Sequence, residues 1–293
     1  MTPALHTVSS TLDGFQELIR FHHEVRTVSG QTLDIDMSSV VWLDANMCAP
    51  LGAILYSHCQ TRPTVRLMGM RAHIEDILQK NGFLPNFGFD RARKPDSYQT
   101  TIEYQRFERR SARAFRDYVA RHFVGKGLPE MSQALQSKFR ESISELLENA
   151  VDHSETRLGI FACGQRFPKK SRLDFSVADL GIGMRANVSK HTGLDLTPEA
   201  AIAWAMEGTN TTRSPDGRTP GGLGLKLIRD FISLNGGSIQ IVSDEGYWSF
   251  HRGQVESRRL RGAFPGTVVN IEVNTADQQS YVLTSEIDPD SIF

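Results

Sequence analysis

Three stretches of the chain carry residue types that do chemistry at spacings that let them act together. The first is Phe139–Ser154, FRESISELLENAVDHS. At about 3.6 residues per turn, Phe139, Ile143, Leu146, Leu147, Ala150 and Val151 share one helical face. Glu141, Ser142, Glu145, Asn149, Asp152 and His153 share the other. Glu145 and Asn149, at i and i+4, point the same way. An Asn carbonyl oxygen suits Mg²⁺, a hard cation that prefers oxygen and often carries nucleotide phosphates. A carboxylate one turn away can orient or deprotonate a water or hydroxyl. An ordinary amphipathic helix with a wet side would show the same stripe.

The second stretch is Asp179-Leu180-Gly181-Ile182-Gly183, which follows the alternating strand pattern Leu173–Val177. Ionised Asp only accepts hydrogen bonds. It can take one from an adenine amino group, where a guanine oxygen would be repelled. Gly181 and Gly183 let the backbone turn with positive φ and approach a base closely; a simple Asp-Gly turn reads the same way. The third stretch is Gly221-Gly222-Leu223-Gly224-Leu225-Lys226, opening a helix over 225–234 that Asn235-Gly236-Gly237 closes. Glycines leading into a helix N-terminus offer unpaired N–H groups to an anion. The spacing is neither that of a P-loop nor that of a Rossmann fingerprint, and a flexible hinge is the plain alternative.

Between the second and third stretches lie a helical run, Pro198–Met206, and the segment GTNTTRSPDGR (208–218). Such a Gly-, Thr- and Ser-rich connection suits a lid that orders over a ligand. Thr212, Arg213 and Arg218 are its candidates for contact with phosphate oxygens.

The elements that must position these residues alternate. Before residue 86 the pattern gives strands over 32–37, 40–43 (short and buried) and 64–69, with helices over 49–58 and through Ile74, Ile77 and Leu78. This is a small α/β unit over 1–90. Apolar periodicity lapses in NFGFDRARKPDSY (86–98), which places the linker at 91–98. A second unit, 99–275, opens with a strand over 100–107 and a helix containing Phe115, Tyr118, Val119 and Phe123. The polar, acidic stretch 276–293 reads as a loose terminus.

Composition removes other classes. With 33 basic and 34 acidic residues, the chain has no global excess for a nucleic-acid backbone or an anionic membrane. Arg109-Arg110 and Arg258, Arg259 and Arg261 read as solvated surface. Cys48, Cys59 and Cys163 cannot build a disulfide framework, and no apolar run is long enough for a membrane span. The start, MTPALHTVSS, lacks the pattern of a secretory signal. A cytoplasmic protein is the expectation.

Taken in order, Glu145-x-x-x-Asn149, Asp179-x-Gly181-x-Gly183 and Gly222-Leu223-Gly224-Leu225 resemble the N, G1 and G2 boxes of the GHKL ATPase superfamily. That group includes histidine kinase ATP-binding domains and anti-sigma-factor serine kinases. The segment 227–246 and Gly266-Thr267, followed by Val269, Ile271 and Val273, look like the last helix and strands of that fold. The resemblance implies a Bergerat-type α/β sandwich, a mixed sheet with helices on one face, that binds ATP and Mg²⁺. It assigns Glu145 as general base or water-orienting residue, Asn149 as Mg²⁺ ligand and Asp179 as adenine anchor. It further gives Asp152, His153, Gly181, Gly183, Thr212, Arg213, Gly221, Gly222, Leu223, Gly224, Leu225, Lys226 and Thr267 as nucleotide contacts. Residues 35–55 and 65–84 resemble the STAS domain of anti-sigma-factor antagonists. The phosphoacceptor motif is replaced there by Asp44-Ala45-Asn46-Met47, which has no hydroxyl, so a binding or regulatory module is expected. No dimerisation helix with a phosphoacceptor His precedes the second unit: His122 is followed by Phe-Val-Gly. The implied function is a Mg²⁺-dependent ATPase or a Ser/Thr-type protein kinase. Its partner would be a protein, with a STAS-type protein the most specific candidate, and a homodimer is a separate expectation. A non-catalytic ATP-driven switch is the alternative.

Overall fold

The computed structural model describes residues 2–60, 64–87, 93–108, 111–207 and 223–286, without the side chains of Asp152, His153 and Leu223. Helix α1 (Leu12–Thr27) begins where the Thr11 hydroxyl accepts the Gly14 N–H, with Asp13 in the first turn and Arg26 in the last. Strand β1 (Thr32–Asp36), helix α2 (Cys48–Cys59), strand β2 (Thr64–Met68) and helix α3 (Ala72–Lys80) follow. β1 and β2 pair in parallel, joined by α2. The stretch 40–43 is not the expected buried strand. Val41 and Trp42 are 50% and 40% exposed, and Leu43 makes a single bridge to Val8. The Trp42 indole N–H is drawn to Asp44, 2.8 Å away, and its carbonyl to the Val8 N–H.

The second half supplies β3 (Thr101–Phe107), α4 (Ala112–His122), β4 (Glu130–Met131), α5 (Gln133–His153), β5 (Ile160–Phe167), β6 (Arg172–Asp179), α6 (Gly183–Thr192), α7 (Pro198–Met206), α8 (Leu223–Asn235), β7 (Ser238–His251), β8 (Gln254–Asn274) and β9 (Ser280–Tyr281). Ser132 and Thr197 cap α5 and α7 through side-chain oxygens, and Pro198 takes the first turn of α7. Gly193 and Gly236, at φ +74° and +73°, end α6 and α8 in left-handed turns. β7 and β8 form a long hairpin closed by Arg252 and Gly253, both at positive φ as a two-residue turn requires.

The main sheet runs β3-β5-β6-β8-β7, and every pairing in it is antiparallel. This corrects the mixed sheet that the resemblance implied. β5–β6 and β7–β8 are linked by short turns, and short turns permit only antiparallel pairs.

Alternation along each strand sorts side chains to two faces. Val177, Val269, Ile271 and Ile241 join a core with Phe139, Leu146 and Leu147 of α5 and Ile228 and Ile232 of α8. Phe161, Cys163, Ala178, Val242 and Val268 join another, built with Phe15 of α1, Leu51 and Ile54 of α2 and Ile35 of β1. The sheet therefore has helices on one face and the first 87 residues on the other. Expecting helices on one face alone left out this second layer.

Polar contacts thread that second layer. The Asn46 amide, fully buried, reaches Ser176 Oγ at 3.0 Å and Asn270 Oδ1 at 2.8 Å. Arg172 pairs with Asp44, Asp174 and Glu272 at 3.3, 3.1 and 3.2 Å. Burial pushes the Asp174 carboxyl well above the usual carboxylate range, against the pull of Arg172.

The C-terminal stretch is docked rather than loose through residue 286. β9 pairs in parallel with β4, Tyr281 packs on Phe231, and Asp277 accepts from the Asn235 amide at 2.9 Å.

Candidate functional site

α5 turns Phe139, Ile143, Leu146 and Leu147 into the core, which leaves Glu145 and Asn149 on its half-buried opposite side. Ser142, expected on the wet side, is buried instead. The helix ends against the second stretch. The Ser154 carbonyl accepts the Ile182 N–H at 2.8 Å. A Cβ on Gly181 would lie 2.1 Å from that same oxygen, so only glycine fits there. Gly183 is the residue with positive φ, +76°, and Gly181 is not among those residues. The two glycines thus serve different needs, one of close approach and one of backbone conformation.

Asp179 ends β6 and is 4% exposed. The Gly181 N–H donates to its Oδ1 at 2.8 Å. Burial pushes the carboxyl up to about 7, against the stabilising N–H groups of Gly181 and Thr267. Register places Asp179 directly opposite Thr267 of β8, and Thr267 opposite Ser243 of β7. The three side chains form one lateral row on the helical face of the sheet.

The third stretch closes on the first. A Cβ added to Gly224 would meet Glu145 Oε2 at 2.1 Å and Glu145 Cβ at 3.1 Å. α8 therefore starts against the polar stripe of α5. Glu145 Oε1 is buried and has no hydrogen-bond partner among the described residues. Leu225 packs into the core, and Lys226 pairs with Asp230 along its own helix at 3.3 Å. Neither side chain is directed at Glu145 by any contact described. Thr212, Arg213, Arg218, Gly221 and Gly222, and the side chains of Asp152, His153 and Leu223, lie outside the described residues.

Two participants were not singled out from the sequence. Ser243 lies within the quoted 227–246 segment, but its place beside Thr267 depends on strand register. Gly266, at φ +149°, holds β8 so close to Asp179 that a Cβ would lie 2.2 Å from the Asp179 carbonyl. The Gly-Thr dipeptide was its only local signal.

Residues 134–275 match the family model described as histidine kinase-, DNA gyrase B-, and HSP90-like ATPase. This segment is a GHKL-type ATPase domain. It spans just under half of the chain, and no curated protein matches the sequence. The GHKL domain implies ATP binding, with kinase or ATPase chemistry open to it. Its matched span contains Glu145, Asn149, Asp179, Gly224, Ser243 and Thr267. Among the described residues, no helix is long and apolar enough to cross a membrane.

Proposed function

We propose that the protein is a Mg²⁺-dependent ATP-consuming regulator, an ATPase or a Ser/Thr-type protein kinase acting in the cytoplasm. The observation that carries this reading is the Glu145 carboxylate, wedged against Gly224 with Oε1 buried and unpartnered. A buried acceptor without a donor is costly. A water or a substrate hydroxyl held there would satisfy it and stand next to the glycine turn that opens α8. Glu145 then orients that O–H and takes up its proton as the oxygen attacks the γ-phosphorus, while the bond from that phosphorus to the β–γ bridging oxygen breaks and ADP leaves. Asp179 accepts a hydrogen bond from the adenine amino group. Asn149, one turn from Glu145, would hold Mg²⁺ through its amide oxygen, and the ion would neutralise charge on the phosphates.

The first 87 residues are read as the regulatory, STAS-like module, and the partner as a STAS-type protein or a second copy of the chain. A second reading, a switch that binds ATP without turnover, is favoured by one observation. The Asn46 amide is bonded to Ser176 and Asn270, three residues from Asp179 and Thr267 on the same two strands.

Incubating the protein with Mg²⁺ and γ-labelled ATP, alone and with candidate partners, separates the readings. In the catalytic case Glu145→Ala keeps ATP affinity within about threefold and lowers turnover by about 10²–10⁴. Normal turnover in that variant would remove Glu145 from the role. Absent turnover in the parent protein, with partner binding that responds to ATP, would select the switch.

A further inference from the structure

Two short strands bracket the matched ATPase segment from outside it. β4 (Glu130–Met131) ends just before residue 134, and β9 (Ser280–Tyr281) begins just after residue 275. They pair in parallel, and the Ser280 hydroxyl donates to Glu130 at 2.7 Å. A pair this short has little stability of its own, so its attachments hold it. One set of attachments is to the start of α5. The Ser132 N–H donates to the Tyr281 carbonyl at 2.9 Å, and the Ser132 hydroxyl donates to Glu286 at 2.5 Å. The same hydroxyl oxygen accepts the Leu135 N–H at 3.1 Å as the cap of α5. The other set is to the second half of α8. The buried Tyr281 ring meets Phe231 edge-on, with centroids 5.5 Å apart. The Tyr281 hydroxyl donates to Asp277 Oδ2 at 2.5 Å, and that oxygen also accepts the Asn235 amide at 2.9 Å.

α5 and α8 run antiparallel. Gly224, at the start of α8, lies against Glu145, whereas Phe231, further along α8, meets Phe139, earlier in α5, with centroids 5.0 Å apart. The two helices are therefore held together at two places. Glu145 lies against Gly224 at one, and Tyr281, Phe231 and Phe139 stack in a row at the other. Gly224 and Phe231 are about 10 Å apart along the helix axis, so a tilt of ~10° about Phe231 carries Gly224 by ~2 Å. A misplacement of about 1 Å at a reacting group can cost about a hundredfold in rate. We infer that Tyr281 is a positioning residue for Glu145. Its ring, seated on Phe231, fixes the tilt of α8 on α5 and so keeps Gly224 against the carboxylate. The inference rests on the catalytic reading above and deepens it, adding a residue outside the matched segment that sets turnover.

The test measures ATP affinity and the rate of ADP production with Mg²⁺-ATP, alone and with candidate partners, well below the melting point of each protein. The proteins are the parent, Tyr281→Phe, Tyr281→Leu, Tyr281→Ala, Glu145→Ala and the double variant Glu145→Ala/Tyr281→Ala. Tyr281→Ala removes the ring, so turnover should fall by about tenfold or more. ATP affinity, which the reading above places on Asp179 of the sheet, should stay within about threefold. Tyr281→Phe keeps the ring and should keep turnover within about twofold of the parent. Tyr281→Leu fills most of the volume without the ring's edge, should lose turnover to an intermediate degree, and preserves the test if Tyr281→Ala does not fold. Because Tyr281 acts through Glu145, adding Tyr281→Ala to Glu145→Ala should lower turnover no further. Two results would overturn the inference while leaving the catalytic reading standing. One is parent-like turnover in both Tyr281→Leu and Tyr281→Ala, and the other is a full additional loss in the double variant. A parent protein that makes no ADP, or a Glu145→Ala variant with normal turnover, would overturn the catalytic reading and this inference with it.

Discussion

Asp179 carries a conflict between folding and binding. Its carboxyl is pushed by burial from the usual 3.8 up to about 7. A raised folded value means that the folded chain holds the proton more tightly than the unfolded one. Its contribution to stability is complete below pH of about 4 and is lost as pH rises through about 7. Removing the charge should reverse the penalty. Asp179→Asn is expected to melt at a higher temperature than the parent protein at pH 8, with the difference vanishing near pH 4, and to bind ATP at least tenfold more weakly. Thermal melts across pH and one ATP titration check both halves. A variant that binds ATP normally would remove Asp179 as the base anchor. The residue types here were readable in advance, because an acid after an alternating strand and before two glycines is a local pattern. The proton affinity was not, since it depends on β8 closing over the carboxyl at Gly266 and Thr267, almost ninety residues away along the chain.

Helices α5 and α8 pack together in the core, and Gly224 meets Glu145 at the polar edge of that contact. In an isolated helix, Gly224→Ala would add helical preference of about 1 kcal/mol. Here the new methyl would meet Glu145 Oε2 at 2.1 Å, so the carboxylate must swing away. The variant should fold with helical content equal to the parent and turn ATP over at least tenfold more slowly. Circular dichroism paired with the phosphate-release assay reads this out, and unchanged turnover would mean that Glu145 need not lie against α8. Most elements were legible from periodicity and caps. The run Pro198–Met206 gave α7 and Asn235-Gly236 the end of α8, because those signals act within a few residues. Strand direction and the fate of 40–43 were not legible. Both are decided by distant partners, namely the antiparallel neighbours of the main sheet and the segment around Val8.

At the scale of the molecule, the first 87 residues and the sheet share a core. Phe161, Cys163, Ala178, Val242 and Val268 are buried in a cluster that α1, α2 and β1 help to build. A composition shift near residue 91 marked a linker, yet composition says nothing about which surfaces meet across it. A chain beginning at residue 97 should expose that apolar face and self-associate in size-exclusion chromatography, while the whole protein should melt in one transition. A monodisperse shortened chain that binds ATP would overturn this expectation. The docked layer also restricts company. Among the described residues, helices stack on one side of the sheet and the N-terminal segment on the other, so both of its broad faces are covered. The far end of the β7–β8 hairpin stands out from this packing, with Val255, Glu256 and Arg258 uncovered.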